Sequence, residues 1–167
     1  MFTLYDYQQD ALDNAISNIS KTPDDARGRF VMPTGAGKTL VESQVLQWQF
    51  ENNNKTGIHL VLAPRIMLGN QLLSEYKTFL GKEGFRAIAF HSGEHTAEDG
   101  IKWKEQATTQ KYIVEEAYAN AQLLGQELVV FSTYHSCGKL EGIEFDTILA
   151  DEAQYCVAEN FNESFRS

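Results

Sequence analysis

The chain has 167 residues, a length that suits one domain with a sizeable hydrophobic core. Its 23 acidic residues outnumber its 14 lysines and arginines, and the resulting net charge of −9 argues against a module that grips nucleic acid through a broadly basic face. No apolar run is long enough to span a bilayer, and the spacing of Cys137 and Cys156 fits neither a metal site nor a disulfide framework, which favours a cytoplasmic protein.

The N-terminal segment predicts an amphipathic helix. Asp6 is a suitable N-cap, and Gln9 follows three residues later, as in a capping box. The apolar residues that repeat at helical spacing are Leu12, Ala15, Ile16 and Ile19. Residues 20–28 contain Pro, Asp and Gly and are typical of a loop.

A short apolar strand, residues 30–32, runs into a glycine-rich loop, and a helical pattern opens at Lys38. Glycines in such a loop let successive backbone N–H groups point inward, and the following helix adds the positive end of its dipole to the same concave anion site. The strict phosphate-loop pattern G-x-x-x-x-G-K-S/T would place its first glycine at position 32, where this chain has Met32. The predicted nucleotide-binding residues of the loop are Gly35, Ala36, Gly37, Lys38 and Thr39.

Two of these loop residues have defined chemical tasks. The Lys38 ammonium can reach the β- and γ-phosphates of a nucleotide, and the Thr39 hydroxyl can ligate magnesium. A chance Gly-Lys-Thr turn is the plainer alternative, but the strand, loop and helix around it favour a phosphate site.

Downstream of the loop, helical and strand patterns alternate. Strands are predicted at 58–63, 85–90 and 128–131. Three sets of apolar residues repeat at helical spacing, and each predicts one helix before a strand. The sets are Val41, Val45 and Trp48; Leu68, Leu72, Tyr76 and Leu80; and Ile113, Ala117, Ala121 and Leu124. Residues 92–110 are polar and predict a surface excursion with a short helix near Trp103. The alternation implies a parallel sheet with right-handed crossovers.

The last predicted strand, at residues 148–150, is apolar and ends in two adjacent acids. Ligands of open α/β sheets bind at the carboxyl ends of the strands, so this is where a nucleotide site is expected. Asp151 can hold magnesium, directly or through water, and Glu152 can orient and deprotonate an attacking water. Without the upstream loop, such an acid pair would more often be a solvated helix start.

Four segments, in this order, resemble motifs of the first RecA-like motor lobe of superfamily-two helicases and translocases. Residues 33–39 resemble motif I, 62–68 resemble motif Ia, and 131–136 resemble the Thr-Tyr segment that precedes motif II. Residues 151–154 resemble the DEAD/DEAH box, with Gln154 where Asp or His is commoner. The closest resemblance is to the DEAH-like group that contains restriction-enzyme motor subunits and phage or repair helicases, and it implies an α/β fold with a parallel sheet sandwiched by helices.

The resemblance also implies ligands and partners. ATP and Mg²⁺ are the expected cofactors, and nucleic acid, DNA rather than RNA, is the expected partner, with no membrane involved. Residues 4–12 resemble the adenine-reading segment that contains Arg-Pro-Tyr-Gln, so Gln8 would hydrogen-bond the adenine edge and Tyr7 would position the base, although Tyr5 and Asp6 replace the Arg and Pro. Contacts to a nucleic-acid backbone are expected from Arg65, Ser132 and Thr133.

We expect residues 1–167 to form the N-terminal part of the helicase ATP-binding lobe, without the Ser-Ala-Thr segment and the second motor lobe that the family carries. Such a fragment would hydrolyse ATP slowly or not at all, because arginine fingers supplied by other parts contribute about 10³–10⁵ in rate. Two alternatives stay open. One is a non-catalytic nucleotide-binding module derived from a helicase, and the other is a different small P-loop enzyme such as a kinase.

Overall fold

The computed structural model describes residues 3–21, 32, 37–53, 56–81, 83–92 and 107–151. From residue 38 onward, helices and strands alternate along these segments, as the sequence predicts, whereas the predicted strand at 30–32 lies outside the described residues except for Met32. In chain order they are α1 (Asp6–Lys21), α2 (Lys38–Asn52), β1 (Ile58–Ala63), α3 (Ile66–Leu80), β2 (Arg86–Phe90), α4 (Lys111–Leu124), β3 (Leu128–Thr133), α5 (Tyr134–Cys137) and β4 (Thr147–Ala150). None of these helices is long and apolar enough to cross a membrane. The helix expected near Trp103 and most of the polar excursion lie outside the described residues.

The four described strands form one parallel sheet in the order β2-β3-β1-β4. Ala63 of β1 pairs with Thr133 of β3, and Leu62 of β1 pairs with Ala150 of β4. Because all strands point the same way, their carboxyl ends meet at one edge of the sheet. The segments after β1, β3 and β4, where the candidate site residues lie, are therefore neighbours.

The hydrophobic core lies on both faces of the sheet. Every residue of β1 and β3 is buried, as expected of central parallel strands. Successive side chains point to opposite faces, so Leu60 packs in a cluster with Val114 of α4, while Val61 packs in another with Leu46 of α2 and Tyr76 of α3. The predicted sandwich of helices around a parallel sheet is confirmed.

Two details of the predicted core are wrong. Leu124 was expected on the buried stripe of its helix, but it is the last residue of α4 and is 67% exposed, and the buried stripe consists of Val114, Ala117 and Ala121. Strand β4 was expected to be buried, yet Ile148 is 41% exposed. Of the described strands, β4 pairs only with β1, so one side of it has no strand neighbour within the described residues.

Candidate functional site

The structure brings Lys38 and Asp151 together, although they are remote in sequence. Lys38 is the first residue of α2, and Asp151 directly follows β4. The Lys38 Nζ lies 3.0 Å from the Asp151 Oδ1, and the two side chains are 29% and 13% exposed. A cationic donor and a carboxylate thus face each other at the carboxyl edge of the sheet, within reach of solvent.

Backbone contacts position both members of this pair. The Asp151 N–H donates to the Leu62 carbonyl over 2.8 Å, which continues the β1–β4 ladder past the end of β4. Before α2, Gly37 has a φ of 78°, a left-handed conformation that favours glycine, and its carbonyl accepts from the Val41 N–H over 3.2 Å. The other predicted members of the site, Gly35, Ala36 and Glu152, lie outside the described residues.

The predicted magnesium ligands have suitable chemistry. Thr39 is partly buried in the first turn of α2, next to Lys38, so a hydroxyl and the Asp151 carboxylate belong to the same corner of the fold. No group of three or more His, Cys, Asp or Glu side chains in the described part of the chain could hold a metal. The oxygens of Thr39 and Asp151 fit magnesium, which takes one or two protein ligands and completes its shell with phosphate oxygens and water.

Gln8 joins the start of α1 to the phosphate loop. The Gln8 Oε1 accepts from the Tyr5 N–H over 2.9 Å, so Tyr5 and Gln8, rather than the expected Asp6 and Gln9, make the reciprocal half of a capping box. Its Nε2 lies against Gly37, so closely that a Cβ on Gly37 would fall far inside van der Waals contact with it. Gln8 is 4% exposed, so its side chain is buried between these two partners.

Two exposed tyrosines flank Gln8. Tyr5 and Tyr7 are 69% and 50% exposed, and their rings stack with centroids 5.9 Å apart and an interplanar angle of 10°. This aromatic pair is on the surface beside the buried Gln8 amide. The adenine contacts of Tyr7 and Gln8 stay predictions, and the geometry adds Tyr5, which stands where the family pattern has Arg.

Two buried polar residues lie near the ion pair, Glu42, which the sequence reasoning missed, and Tyr76, which it placed only on the apolar stripe of its helix. Glu42 is one helical turn beyond Lys38 on α2, at a spacing that places side chains on the same face, and it is only 5% exposed. Tyr76 of α3 is fully buried with its ring edge-on to Phe131, at a centroid distance of 5.6 Å. The only signal for Glu42 in the sequence was that it directly follows the core residue Val41.

Burial raises the pKa of the Tyr76 phenol well above its ordinary value of about 10, and the carboxylates of Glu42 and Asp151 raise this pKa further. Among the described residues no acceptor meets the Tyr76 hydroxyl with good hydrogen-bond geometry, but the Glu42 carboxylate is near enough for a weak hydrogen bond that contributes to the raised pKa. Glu42 and Asp151 are also close enough to act on the phenol by their charge. The buried phenol therefore lies where the Glu42 and Asp151 carboxylates disfavour its ionised form.

This raised pKa predicts a loss of stability at alkaline pH. Above about pH 10 the unfolded chain loses the phenolic proton while the folded chain keeps it, so the folded state binds more protons and the free energy of unfolding falls as pH rises. Below that pH the phenol is neutral in both states, and its contribution does not change. Tyr76→Phe should reduce the alkaline fall in urea-denaturation experiments, whereas Tyr112→Phe, at a tyrosine that is 62% exposed, should not. Equal alkaline losses in both variants would contradict this assignment.

The three predicted nucleic-acid contacts are placed differently from one another. Arg65 is exposed and caps the N-terminus of α3, directly beyond the carboxyl end of β1. Ser132 and Thr133 are 1% and 5% exposed, and their hydroxyls bond inside the chain, to the Thr133 carbonyl over 3.0 Å and from the Ser136 N–H over 3.2 Å. Arg65 is therefore the one of the three that a partner can reach from solvent in this conformation, and all three roles stay predictions.

Another contact that the sequence did not indicate joins this segment to the ion pair. Tyr134, the first residue of α5, donates its hydroxyl to the Asp151 carbonyl over 2.5 Å. The bond connects the segment after β3 with the segment after β4.

Comparison with known proteins places this chain in a family. The family model described as "Type III restriction enzyme, res subunit", ResIII, matches residues 1–166. The chain belongs to the ResIII family. The ResIII domain is helicase-like, and the suspected relation to a superfamily-two motor lobe of the restriction-subunit type is confirmed.

Two solved structures of Type ISP restriction-modification enzymes are similar to the ResIII domain. A nuclease-deletion mutant of LlaGI in complex with a DNA substrate mimic is 28% identical with a TM-score of 0.78, over 96% of this chain and 16% of that chain. The ATP-dependent enzyme LlaBIII bound to DNA is 29% identical with a TM-score of 0.76, over 95% of this chain and 11% of that chain. The sheet and its flanking helices thus match the RecA-like helicase lobe of these enzymes. No curated protein sequence matches the chain.

Proposed function

We propose that this ResIII domain binds ATP with Mg²⁺ and hydrolyses it to drive movement on DNA, as the ATPase lobe of a helicase or translocase. The observation that supports this most is the 3.0 Å contact between Lys38 and Asp151 at the junction of α2 and the carboxyl edge of the sheet. An ATP–magnesium site needs a cation for the phosphates and a carboxylate for the metal at the same place. These two groups supply both requirements.

In this proposal each polar group has one task. The backbone N–H groups of residues 35–37 and the first turn of α2 cradle the phosphates, and the Lys38 ammonium bonds the β- and γ-phosphates. Thr39 and Asp151 would hold magnesium, which when bound neutralises negative charge on the phosphates. Glu152 accepts a proton from the attacking water.

The ion pair must open for these tasks to be carried out. In the structure Lys38 and Asp151 bond each other, so neither is yet directed at a nucleotide. The phosphates of ATP would compete for Lys38, and the metal would compete for Asp151. ATP and Mg²⁺ are therefore expected to bind cooperatively. ATP bound to Lys38 frees Asp151 for Mg²⁺, and Mg²⁺ bound to Asp151 frees Lys38 for ATP.

DNA is proposed as the partner for two reasons. The similar structures are those of restriction-modification enzymes bound to DNA or to a DNA mimic. Arg65 is also exposed at the same sheet edge as Asp151, where a guanidinium could contact a backbone phosphate. The net charge of −9 predicts weak, salt-sensitive binding by these 167 residues alone.

The two rival functions are less well supported. A metabolite kinase does not account for a family match that covers residues 1–166. A non-catalytic module would not need to keep Lys38 opposite Asp151. Measuring both binding and hydrolysis separates these possibilities.

The test is a titration of the 167-residue chain with a fluorescent ATP analogue, with and without Mg²⁺, followed by phosphate-release assays with and without DNA. We expect saturable binding that strengthens with Mg²⁺, together with slow hydrolysis. The chain spans 16% and 11% of the two similar enzymes, and an arginine finger from a second lobe would be worth about 10³–10⁵ in rate. A folded chain that binds no ATP in the presence of Mg²⁺ would refute the proposed function. Rapid DNA-stimulated hydrolysis would instead show that no second lobe is needed.

A further inference from the structure

Tyr134 reaches across the sheet edge to hold the residue that carries the candidate metal ligand. Strands β3 and β4 are not neighbours, because β1 lies between them. The Tyr134 hydroxyl nevertheless donates to the Asp151 carbonyl over 2.5 Å, so the phenol spans the carboxyl end of β1. At the short end of the normal range for a hydroxyl donor, this is a well-formed hydrogen bond.

With this bond, the backbone of Asp151 is held at two points. Its N–H donates to Leu62 of β1 over 2.8 Å, and its carbonyl accepts from Tyr134. The N–H and the carbonyl lie on either side of the Asp151 Cα, so fixing both restricts the direction of the Cα–Cβ bond. The direction in which the Asp151 carboxylate leaves the backbone is thereby restricted to the side where Lys38 lies.

The position of Tyr134 is in turn fixed by its own surroundings. Thr133 caps α5 by accepting from the Ser136 N–H over 3.2 Å, and the Cys137 thiol donates to the Tyr134 carbonyl over 3.0 Å. The Tyr134 ring packs against the buried cluster that contains Leu60 of β1. The backbone and the ring of Tyr134 are therefore both held in place, and these contacts fix the position of its hydroxyl.

We propose that Tyr134 is a positioning residue whose hydroxyl holds the Asp151 backbone so that the carboxylate is oriented for ATP–magnesium. This role rests on the proposed function, and it gives the Tyr134 hydroxyl a task in the site beyond the packing of its ring. Since Tyr134 directly follows Thr133, the same bond links the segment predicted to touch DNA with the residue predicted to ligate the metal.

The test removes the hydroxyl and nothing else, by Tyr134→Phe in the 167-residue chain. Tyr118→Phe is a matched control, because Tyr118 is also partly buried against the same cluster and its hydroxyl is near a backbone carbonyl, that of Thr56, at 3.5 Å. For each protein, the affinity for a fluorescent ATP analogue is measured over a range of Mg²⁺ concentrations, and thermal unfolding is followed by circular dichroism.

We expect Tyr134→Phe to raise the Mg²⁺ concentration needed for half-maximal ATP binding about fivefold, the effect of losing one hydrogen bond of ordinary strength. Affinity for ATP without Mg²⁺ should stay unchanged, which a merely structural defect would not produce. Tyr118→Phe should match the unaltered chain. If Tyr134→Phe needed no more Mg²⁺ than the unaltered chain, or if both variants needed equally more, only the proposed role of Tyr134 would be overturned. Failure of the unaltered chain to bind ATP with Mg²⁺ would overturn the proposed function as well.

Discussion

Lys38→Ala is expected to lower the affinity for ATP–magnesium by roughly 10- to 100-fold. A hydrogen bond to a charged group contributes about 1.5–3 kcal/mol, and each 1.4 kcal/mol corresponds to about a tenfold change in affinity. The Lys38 ammonium is at the N-terminus of α2 and only 3.0 Å from Asp151, so its removal also leaves that carboxylate near the incoming phosphates without its cation. Titration with a fluorescent ATP analogue measures the loss.

The control for this variant is Lys139→Ala, which removes the same charge from an exposed lysine in the turn after α5. Because Lys139 is exposed, water and salt screen its charge, so Lys139→Ala should bind ATP like the unaltered chain. Circular dichroism should show that both variants are folded. If Lys38→Ala bound ATP–magnesium with undiminished affinity, Lys38 would be only the partner of Asp151, and its role on phosphate would be wrong.

Much of the fold could be predicted because central parallel strands have a strong sequence signal. Strands β1 and β3 are buried along their whole length and are mainly apolar, although β1 contains His59 and β3 ends in Ser132 and Thr133, and Gly and Asn mark the breaks around them. The exposed strand β4 shows the limit of this signal. Ile148 is apolar like the core residues, yet it is 41% exposed. The burial of a side chain depends on which elements pack against it, and the local sequence does not predict that.

The candidate site was predictable in its residue types and only partly in its contacts. The chemistry of Lys38 and Asp151 can be read from each segment separately, and the crossover rules place both at one sheet edge. The bond from Tyr134 to Asp151 depends instead on β1 lying between their two strands, which no local pattern states. The same holds for the buried hydroxyls of Ser132 and Thr133, which were predicted as contacts for DNA.

The second large effect is expected at Gly37, where alanine should weaken ATP binding about tenfold or more and destabilise the fold by about 2–3 kcal/mol. Gly37 has a φ of 78°, and a side chain in this left-handed region costs about 1–2 kcal/mol. The new Cβ would also collide with the Gln8 Nε2, and Gln8 is too buried to move without losing its bond to the Tyr5 N–H, worth about 1 kcal/mol. Moving Gly37 instead would displace a backbone N–H that is predicted to face the phosphates. Urea denaturation and ATP titration measure the two effects.

Gly125→Ala separates backbone strain from the collision. Gly125 ends α4 with a φ of 65°, and a Cβ there would meet no atom within 4 Å, so only the left-handed strain is added, far along the chain from the phosphate loop. This control should lose about 1–2 kcal/mol of stability and bind ATP normally. If the collision already costs Gln8 its bond to the Tyr5 N–H, Gln8→Ala should destabilise the Gly37→Ala background by about 1 kcal/mol less than it destabilises the unaltered chain. If Gly37→Ala and Gly125→Ala behaved alike, the contact between Gln8 and the loop would have no role in holding the phosphate site.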